Sequence, residues 1–536
     1  MPPLPDVDPT AKFSFKPGKF VEVPRSIVGV SLGPHVDGVA LPHPDGQAPD
    51  SALAAGIKRM AIKPLAKANA DLVELAQFAL EFCERNFVPL SPDVDLSFES
   101  WIDGRPYPEW RKKELREVHD KMAKFTLKEK YTVVKCFLKD ETYPEFKHAR
   151  GIYARADEFK CVFGPLVSSI EEQVYKHPSF IKKIPVPDRP AYIRDRLVDQ
   201  TNLKAATDFT SMEASFDPEV LEALDFVMFS FFLRHMPSVW WVEVVETLAQ
   251  ENHCSFKWFM MKVLGRRMSG EMNTSLSNGF ANLVIIEFLC HKYKCGKPRS
   301  VVEGDDSLFS TESGRFPDPG HYTKIGFRVK FEKHSDFTRA SFCGLIFDDQ
   351  DLVNVTDIQT VLCEFGWASA RYANCRSSRL KTLFRSKALS YLHQYYGCPV
   401  IQAMALYGLR MTRGYDLRDF VENDRGLSLW EREQLREALG NCKVDIKSGR
   451  DVPIRTRLMV EDVFGIPVET QLELEQMFND KNDLEPLVLG CFNFPRDWVR
   501  YGMSFIVPRD AALIPQNPMD LSMLIRHLGA QLTIPT

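Results

Sequence analysis

The pattern of apolar and polar positions divides the chain into recognisable elements. From Ser51 to Asn86 apolar residues recur at helical spacing. "YTVVKCFLK" (131–139) predicts a strand inside a stretch, 111–160, that concentrates Lys and Arg. "LKAATDF" (203–209) predicts a buried strand running into an acidic turn. "DPEVLEALDFVMFSFFLRH" (217–235) predicts a helix with Asp217 as N-cap and Pro218 in its first position. "NTSLSNGFANLVIIEFLCHKY" (273–293) predicts a second, mostly apolar helix, and "SVVEGDDSLFS" (300–310) two short strands about a turn. After it come "YTKIGFRVKFEK" (322–333) and then "SFCGLIF" (341–347), a strand or hairpin. From about 351 the pattern is helix-rich, and "LSLWEREQLREALG" (427–440) carries Ser428 and Glu431 at capping-box spacing with Gly440 near the stop. The first fifty residues are rich in Pro and Gly and read as irregular. The order strand, helix, helix, hairpin, strand predicts an α+β core flanked by helical regions.

Composition narrows the classes. A chain of 536 residues, 44% hydrophobic, is long enough for several subdomains. Its 68 Lys and Arg against 72 Asp and Glu give a formal charge of −4, without the basic excess of a generic nucleic-acid binder. A basic channel inside a near-neutral shell is still compatible with that sum. The 12 cysteines form no regular framework, which fits a reducing compartment rather than a disulfide scaffold. The start, "MPPLPDVDPTAKF", lacks the basic and apolar blocks of a signal peptide. The strongest apolar run, "FVMFSFFL" (226–233), falls short of the about 20 residues that span a bilayer, so no transmembrane segment is expected.

The candidate chemistry begins with Asp305 and Asp306. Adjacent carboxylates repel and want open water or a cation; a Gly-Asp turn at the surface is the plain alternative. The flanking apolar runs argue for acids aimed into a protected space. Asp208 ends the strand "LKAAT"; alone it reads as a turn or capping acid. Two carboxylates from different strand ends can jointly hold a pair of Mg²⁺ ions about 3.5–4 Å apart, which suits phosphoryl transfer. In "MSGEMNTSLSNGF" (268–280), Ser269 and Gly270 form a loop entering the helix. Thr274, Asn278 and Asn282 share one helix face. They are either caps and satisfied core polars or a surface that senses a ribose 2′-OH. "CHKYKC" (Cys290, His291, Cys295) and "HC" at 253–254 lack a CxxC pair, so buried thiols are preferred to a zinc site. "WRKKELREVHDK" reads as a solvated helix face and "DWVRYGMSFIVPRD" as core packing, with RNA contact the alternative for each.

Together these segments resemble the palm of the RNA-dependent RNA polymerases of positive-strand RNA viruses, most like the tombusvirus and nodavirus-like groups. "DFTSMEASF" resembles that family's motif A, "SGEMNTSLSN" its motif B and "VVEGDDSLF" its motif C, in the right order. "KIGFRVKFEK" resembles motif D, "FCG" (342–344) the motif E hairpin and "VVKCFLKDETYPEFKHARGIYAR" motif F. The resemblance implies a closed right hand of fingers, palm and thumb, with an antiparallel palm sheet and a helical thumb. Residues 1–59 would be an N-terminal extension, 60–205 fingers with motif F at 131–155, and 206–240 palm. A fingers insertion at 241–268, palm at 269–350, and thumb with a C-terminal segment at 351–536 would follow.

It also implies roles. Asp208 and Asp305 would be the main metal ligands, helped by the Phe209 carbonyl, with Asp306 weaker or water-mediated. Lys139, Arg150 and Arg155 would line the nucleotide path and pair with the triphosphate. Thr274 and Asn278 would help recognise the incoming ribose, and Ser269 would contact template or nucleotide. Lys330, with Lys333 behind it, would protonate the pyrophosphate leaving group. Where the family commonly has a second motif A aspartate, this chain has Glu213, expected to reach the ribose network through Asn278. Implied cofactors are Mg²⁺, or Mn²⁺ in its place, and implied partners are NTPs, a single-stranded RNA template and nascent RNA. Other viral replication proteins, and host membranes reached through a partner, follow from the resemblance, as does the host cytoplasm. Reverse transcription shares the paired acids but not Gly304 or the Thr274–Asn278 pattern. A non-catalytic RNA-binding scaffold would not need Asp208, Asp305 and Asp306 intact. The first hundred residues match no chemistry and are expected only to brace fingers against thumb.

Overall fold

The computed structural model describes residues 3–16, 29–46, 48–122, 130–197, 203–440 and 447–505. Its mixed α/β architecture is organised by two sheets. The first, antiparallel, has the order β10 (Val329–His334), β5 (Lys204–Phe209), β9 (Asp306–Thr311), β8 (Pro298–Glu303). The second runs β1 (Lys12–Phe15), β7 (Phe259–Leu264), β6 (Glu251–Ser255), β3 (Val133–Leu138), β4 (Gly151–Arg155), and only its β3–β6 pair is parallel. A short pair joins β2 (Gly29–Ser31) to β11 (Trp367–Ser369).

Strand alternation gives the first sheet two different faces. Ala205 and Phe209 of β5, Phe309 of β9 and Val302 of β8 face a large core packed with helices. Leu308 and Val301 face a smaller cluster built around Phe337, Phe342 and Phe347, with Ala206 packed against it. The helix Thr274–Lys292 crosses the first of these faces and is buried almost all round, as its nearly continuous apolar sequence requires. Asp217 caps its helix as predicted, its carboxylate accepting from the Val220 amide at 3.1 Å. Ser428 and Glu431 form the expected capping box.

Three expectations change. The helical stretch 51–86 is two helices, Pro49–Arg59 and Asn69–Asn86, because Pro64 lies in the extended segment that separates them. "SFCGLIF" is reduced to a tight turn in which Phe342 bridges Leu345. Cys343 at φ +53° and Gly344 at φ +75° have the left-handed backbone of a two-residue type I′ turn. The N-terminal region is not irregular throughout: β1 extends the second sheet through β7, and β2 pairs with β11. Val30, Leu32 and Val36 pack into the core formed by residues 346–498.

The loop after β3 is fastened to the helix-rich C-terminal part. Asp140 accepts from His43 Nε2 at 2.7 Å and Arg371 at 2.5 Å, and also from the Ser369 hydroxyl. Thr142 bonds Glu364, and Trp498 Nε1 donates to the Pro144 carbonyl at 2.8 Å. Trp498 and Tyr501 are buried, in keeping with core packing, whereas residues 506–536 lie outside the described residues. Burial alone would raise the Asp140 carboxyl; the bonds from His43, Ser369 and Arg371 overcome it and hold the group well below the usual carboxylate range. A depressed acid contributes stability that is complete above pH ~4 and is lost as pH falls through its folded value. Asp140→Asn should therefore lose stability less steeply below pH 4 than the parent in acid denaturation. It should also raise amide exchange across 139–144 at pH 7.

Candidate active site

In the β8–β9 hairpin Glu303 opposes Asp306, so Gly304 and Asp305 form the whole turn. Gly304 has φ +61°, and a side chain there would meet nothing within 4 Å. Glycine is required by the backbone conformation, not by space; it is the residue favoured at the first central position of a type II′ turn. The two aspartates therefore do not share the tip. Asp305 is in the turn and Asp306 is the first residue of β9.

The sheet register then builds a row across all four strands. Lys330 of β10 opposes Asp208 of β5, Asp208 opposes Asp306, and Asp306 opposes Glu303. Directly opposed residues carry their Cβ atoms about 4.5–5.5 Å apart on one face. Glu303 is neutralised by Arg189 at 2.7 Å and Lys182 at 3.5 Å. Among the described residues no ion pair serves Asp305 or Asp306, and the charge of Arg150 only partly offsets what raises Asp305. Burial, then the charges of Glu213 and Asp208, push the Asp305 carboxyl up to about 6. Burial, then Asp305, Asp208 and Glu303, push Asp306 up to about 7. Lys333 opposes Ala205, so it belongs to the other face, where its ammonium lies 5.9 Å from the Phe316 ring.

The loop before the long helix rests on β4. Ser269 donates to the Gly151 carbonyl at 3.1 Å, and Gly270 to the Tyr153 carbonyl at 3.0 Å. A Cβ on Gly270 would stand 2.9 Å from that same carbonyl oxygen, so the close approach needs glycine. The Thr274 hydroxyl donates to the Met268 and Glu271 carbonyls at 2.9 and 3.1 Å. Asn278 is buried and accepts from Arg267 at 2.9 Å; Arg267 in turn pairs with Asp225 at 2.5 Å, both side chains fully buried. Glu213 does not meet Asn278. It is 6% exposed and pairs with Arg59 at 2.9 Å.

A group of cations lies on the side of Asp305, on which the charge of Arg150 acts. Lys139 pairs with Glu141 at 2.6 Å, and Arg150 approaches the same carboxylate at 3.6 Å; both cations are about 40% exposed. Arg155 differs from the expectation. Its side chain is 2% exposed and is taken up by Glu271, by the Tyr131 carbonyl at 2.8 Å and by the Phe159 ring. It braces the Ser269 loop because strand alternation turns it into the core.

Two further cations escaped the sequence reading. Burial lowers Lys147, with Arg150 and Lys330 adding repulsion, and burial lowers Lys58, with Arg59, Lys147 and Arg150 adding to it. Lys58 and Arg59 end the helix Pro49–Arg59, so the N-terminal region brings charge to the site and does more than brace the fold. No spacing rule joins residue 59 to residue 213; the cluster of Lys58 and Arg59 at a helix end was the one available signal.

Among the described residues no three His, Cys, Asp or Glu side chains form a ready-made metal cage. Cys290 and Cys295 are buried thiols. Asp208, Asp305 and Asp306 nonetheless fit a hard divalent ion. Among the described residues none of the three forms an ion pair, and Mg²⁺ takes one or two carboxylates plus waters and substrate phosphates rather than a complete protein cage.

Residues 252–482 match the family described as viral RNA dependent RNA polymerase. The match covers the Ser269 loop, the hairpin and Lys330; Asp208 lies ahead of it and is joined to it by the sheet register. No curated protein matches the chain.

The two arginines of β4 and its entrance should separate in experiment. Arg155→Leu leaves Glu271 buried and unpaired and should cost about 3–5 kcal/mol in urea unfolding. Arg150→Ala, at a half-exposed position, should stay within about 0.5 kcal/mol of the parent.

Proposed function

We propose that this chain, a viral RNA-dependent RNA polymerase, uses Asp208 and Asp305 as its principal metal-binding carboxylates, with Asp306 in support. The observation that carries this reading is the register Asp208↔Asp306 beside a turn that holds Asp305 among like charges. Viral polymerases of this kind use divalent metal ions. Asp208, Asp305 and the Phe209 carbonyl, with Asp306 in support, would hold Mg²⁺, or Mn²⁺ in its place, which would supply charge neutralisation and polarisation of the phosphate oxygens.

The remaining work falls to the chain's own groups. The 3′-hydroxyl of the growing RNA attacks the α-phosphate of an NTP paired to the template, and pyrophosphate leaves. Lys139 and Arg150, with Lys147 and Lys58 beside them, bind and orient the triphosphate. Lys330 donates a proton to the departing pyrophosphate oxygen; its place opposite Asp208 supports it over Lys333. Ser269, Thr274 and Asn278 orient template and ribose, and Glu213, fixed by Arg59, closes the ribose side. Arg155 acts through the loop it braces.

The two sheets and the helix-rich remainder support a closed right hand. Fingers would span 60–205 and 241–268, palm 206–240 and 269–350, and thumb 351–536, with residues 1–59 an extension laid across them. The bonds of Asp140, Thr142 and Pro144 to the C-terminal part support closure. The motif pattern supports a tombusvirus- or nodavirus-like replicase acting in the host cytoplasm. No described helix is long and apolar enough to cross a membrane.

The test is nucleotide incorporation by the purified chain on single-stranded RNA with Mg²⁺ or Mn²⁺. Product from rNTPs and not from dNTPs, abolished in Asp305→Ala, is expected. Lys330→Leu should lower kcat by about 10²-fold, the scale of a lost general acid. Product that survives Asp305→Ala would remove that carboxylate from the chemistry. A folded chain that binds RNA but makes no product would favour the scaffold reading.

A further inference from the structure

The catalytic turn is unusual in how it is held. A two-residue hairpin turn leaves its own central carbonyls outside the strand ladder, and Asp305 in the turn and Asp306 at the start of β9 carry like charges that push apart. Asn282, one helical turn beyond Asn278 on the helix Thr274–Lys292, reaches it from below. Its Nδ2 donates to the Gly304 carbonyl at 3.2 Å and to the Asp306 carbonyl at 3.1 Å. Both amide hydrogens are thereby used, on a residue that is fully buried. Gly279 faces the turn, where a Cβ would stand at ordinary contact distance from the Gly304 amide, 3.6 Å, and tightly, at 3.0 Å, against the Phe180 ring.

The two acceptors matter more than their number. The Gly304 carbonyl belongs to the peptide plane that leads into Asp305, and the Asp306 carbonyl to the plane that leaves Asp306. Fixing both planes fixes the backbone on either side of the aspartate pair, and with it the directions of the two Cα–Cβ bonds. We infer that Asn282 is a positioning residue of the catalytic turn: it aims Asp305 and Asp306 at a divalent ion without touching that ion. The inference rests on the metal-binding reading proposed above. Its rival is that Asn282 is one more buried amide that satisfies backbone carbonyls and serves stability alone.

The chain contains a matched control. Asn252 is also fully buried, and its Nδ2 also donates to two carbonyls, those of Gln250 at 3.2 Å and Gly265 at 2.7 Å. It lies in β6, in the other sheet. Truncating either amide strands two buried acceptors, so the stability losses should be of similar size.

The experiment measures Mn²⁺ binding to the full chain by electron paramagnetic resonance, without RNA or nucleotide, for the parent, Asp305→Ala, Asn282→Ala and Asn252→Ala. Kinetics with NTP follow on the same samples. Asn282→Ala should weaken Mn²⁺ binding about tenfold, the effect of about 1.4 kcal/mol. It should lower kcat while leaving the NTP KM within about twofold. Asn252→Ala should lose similar melting temperature yet keep the parent's Mn²⁺ affinity and kcat. Asn282→Leu, which keeps the branching at Cγ and offers no donor, is read the same way should the alanine variant fail to fold. Equal behaviour of the Asn282 and Asn252 variants would overturn the inference. So would a failure of both Asn282 variants to fold while Asn252→Ala folds, since the role is then structural. A parent chain that binds Mn²⁺ no better than Asp305→Ala would instead overturn the metal-binding reading itself.

Discussion

Repulsion among carboxylates is the constraint on which the rest of the structure depends. Asp208, Asp305 and Asp306, with Glu213 and Glu303 at their edges, are brought together by strand register and a tight turn. The cost is visible in the raised proton affinity of Asp305 and Asp306. Edge acids are neutralised by protein cations, Glu303 by Arg189 and Lys182 and Glu213 by Arg59. Among the described residues Asp305 and Asp306 have no ion-pair partner, and Lys330 stands opposite Asp208. A neutralised rim around a middle of raised proton affinity is what the proposed binding of a cation from solution would require.

Holding the acids together requires a stiff frame, and the frame is built from distant parts of the chain. The β5–β9 pairing joins residues a hundred positions apart, and the Thr207 and Ser307 hydroxyls bond each other on the buried side of that pair. The helix Thr274–Lys292 lies against it, and the helix Pro49–Arg59 delivers Arg59 and Lys58 from the other end of the sequence. The N-terminal residues also add β1 to one sheet and pair β2 with β11, so they tie three regions together. Cations near the row are therefore structural as well as receptive: Arg155 and Arg267 are spent on buried acids, while Lys139, Arg150 and Lys330 keep solvent exposure.

What could be read from the sequence follows physical range. Local rules gave the Asp217 and Ser428 caps, the long apolar helix and the strands on both sides of Asp305, because each is decided by residues within one turn or one strand. The spacing of Thr274, Asn278 and Asn282 placed three polar groups on one helix face, but not which carbonyls they would meet. Arg59 with Glu213 was not legible at all, since a pairing across 154 positions leaves no periodic trace. Arg155 was misread for a related reason. Arg150 and Arg155 are chemically alike in the sequence, and only the direction in which β4 is packed sends one toward solvent and the other into the core. The helical run 51–86 was read as one element because periodicity continued on both sides of Pro64.

The most direct measurement is anomalous diffraction from crystals soaked in Mn²⁺ with a non-hydrolysable NTP. Peaks between Asp208 and Asp305, within about 2.0–2.2 Å of carboxylate oxygens and about 3.5–4 Å from each other, are the predicted result. Ordered nucleotide with no anomalous density between those two carboxylates, or density confined to other acids such as Glu303, would contradict it.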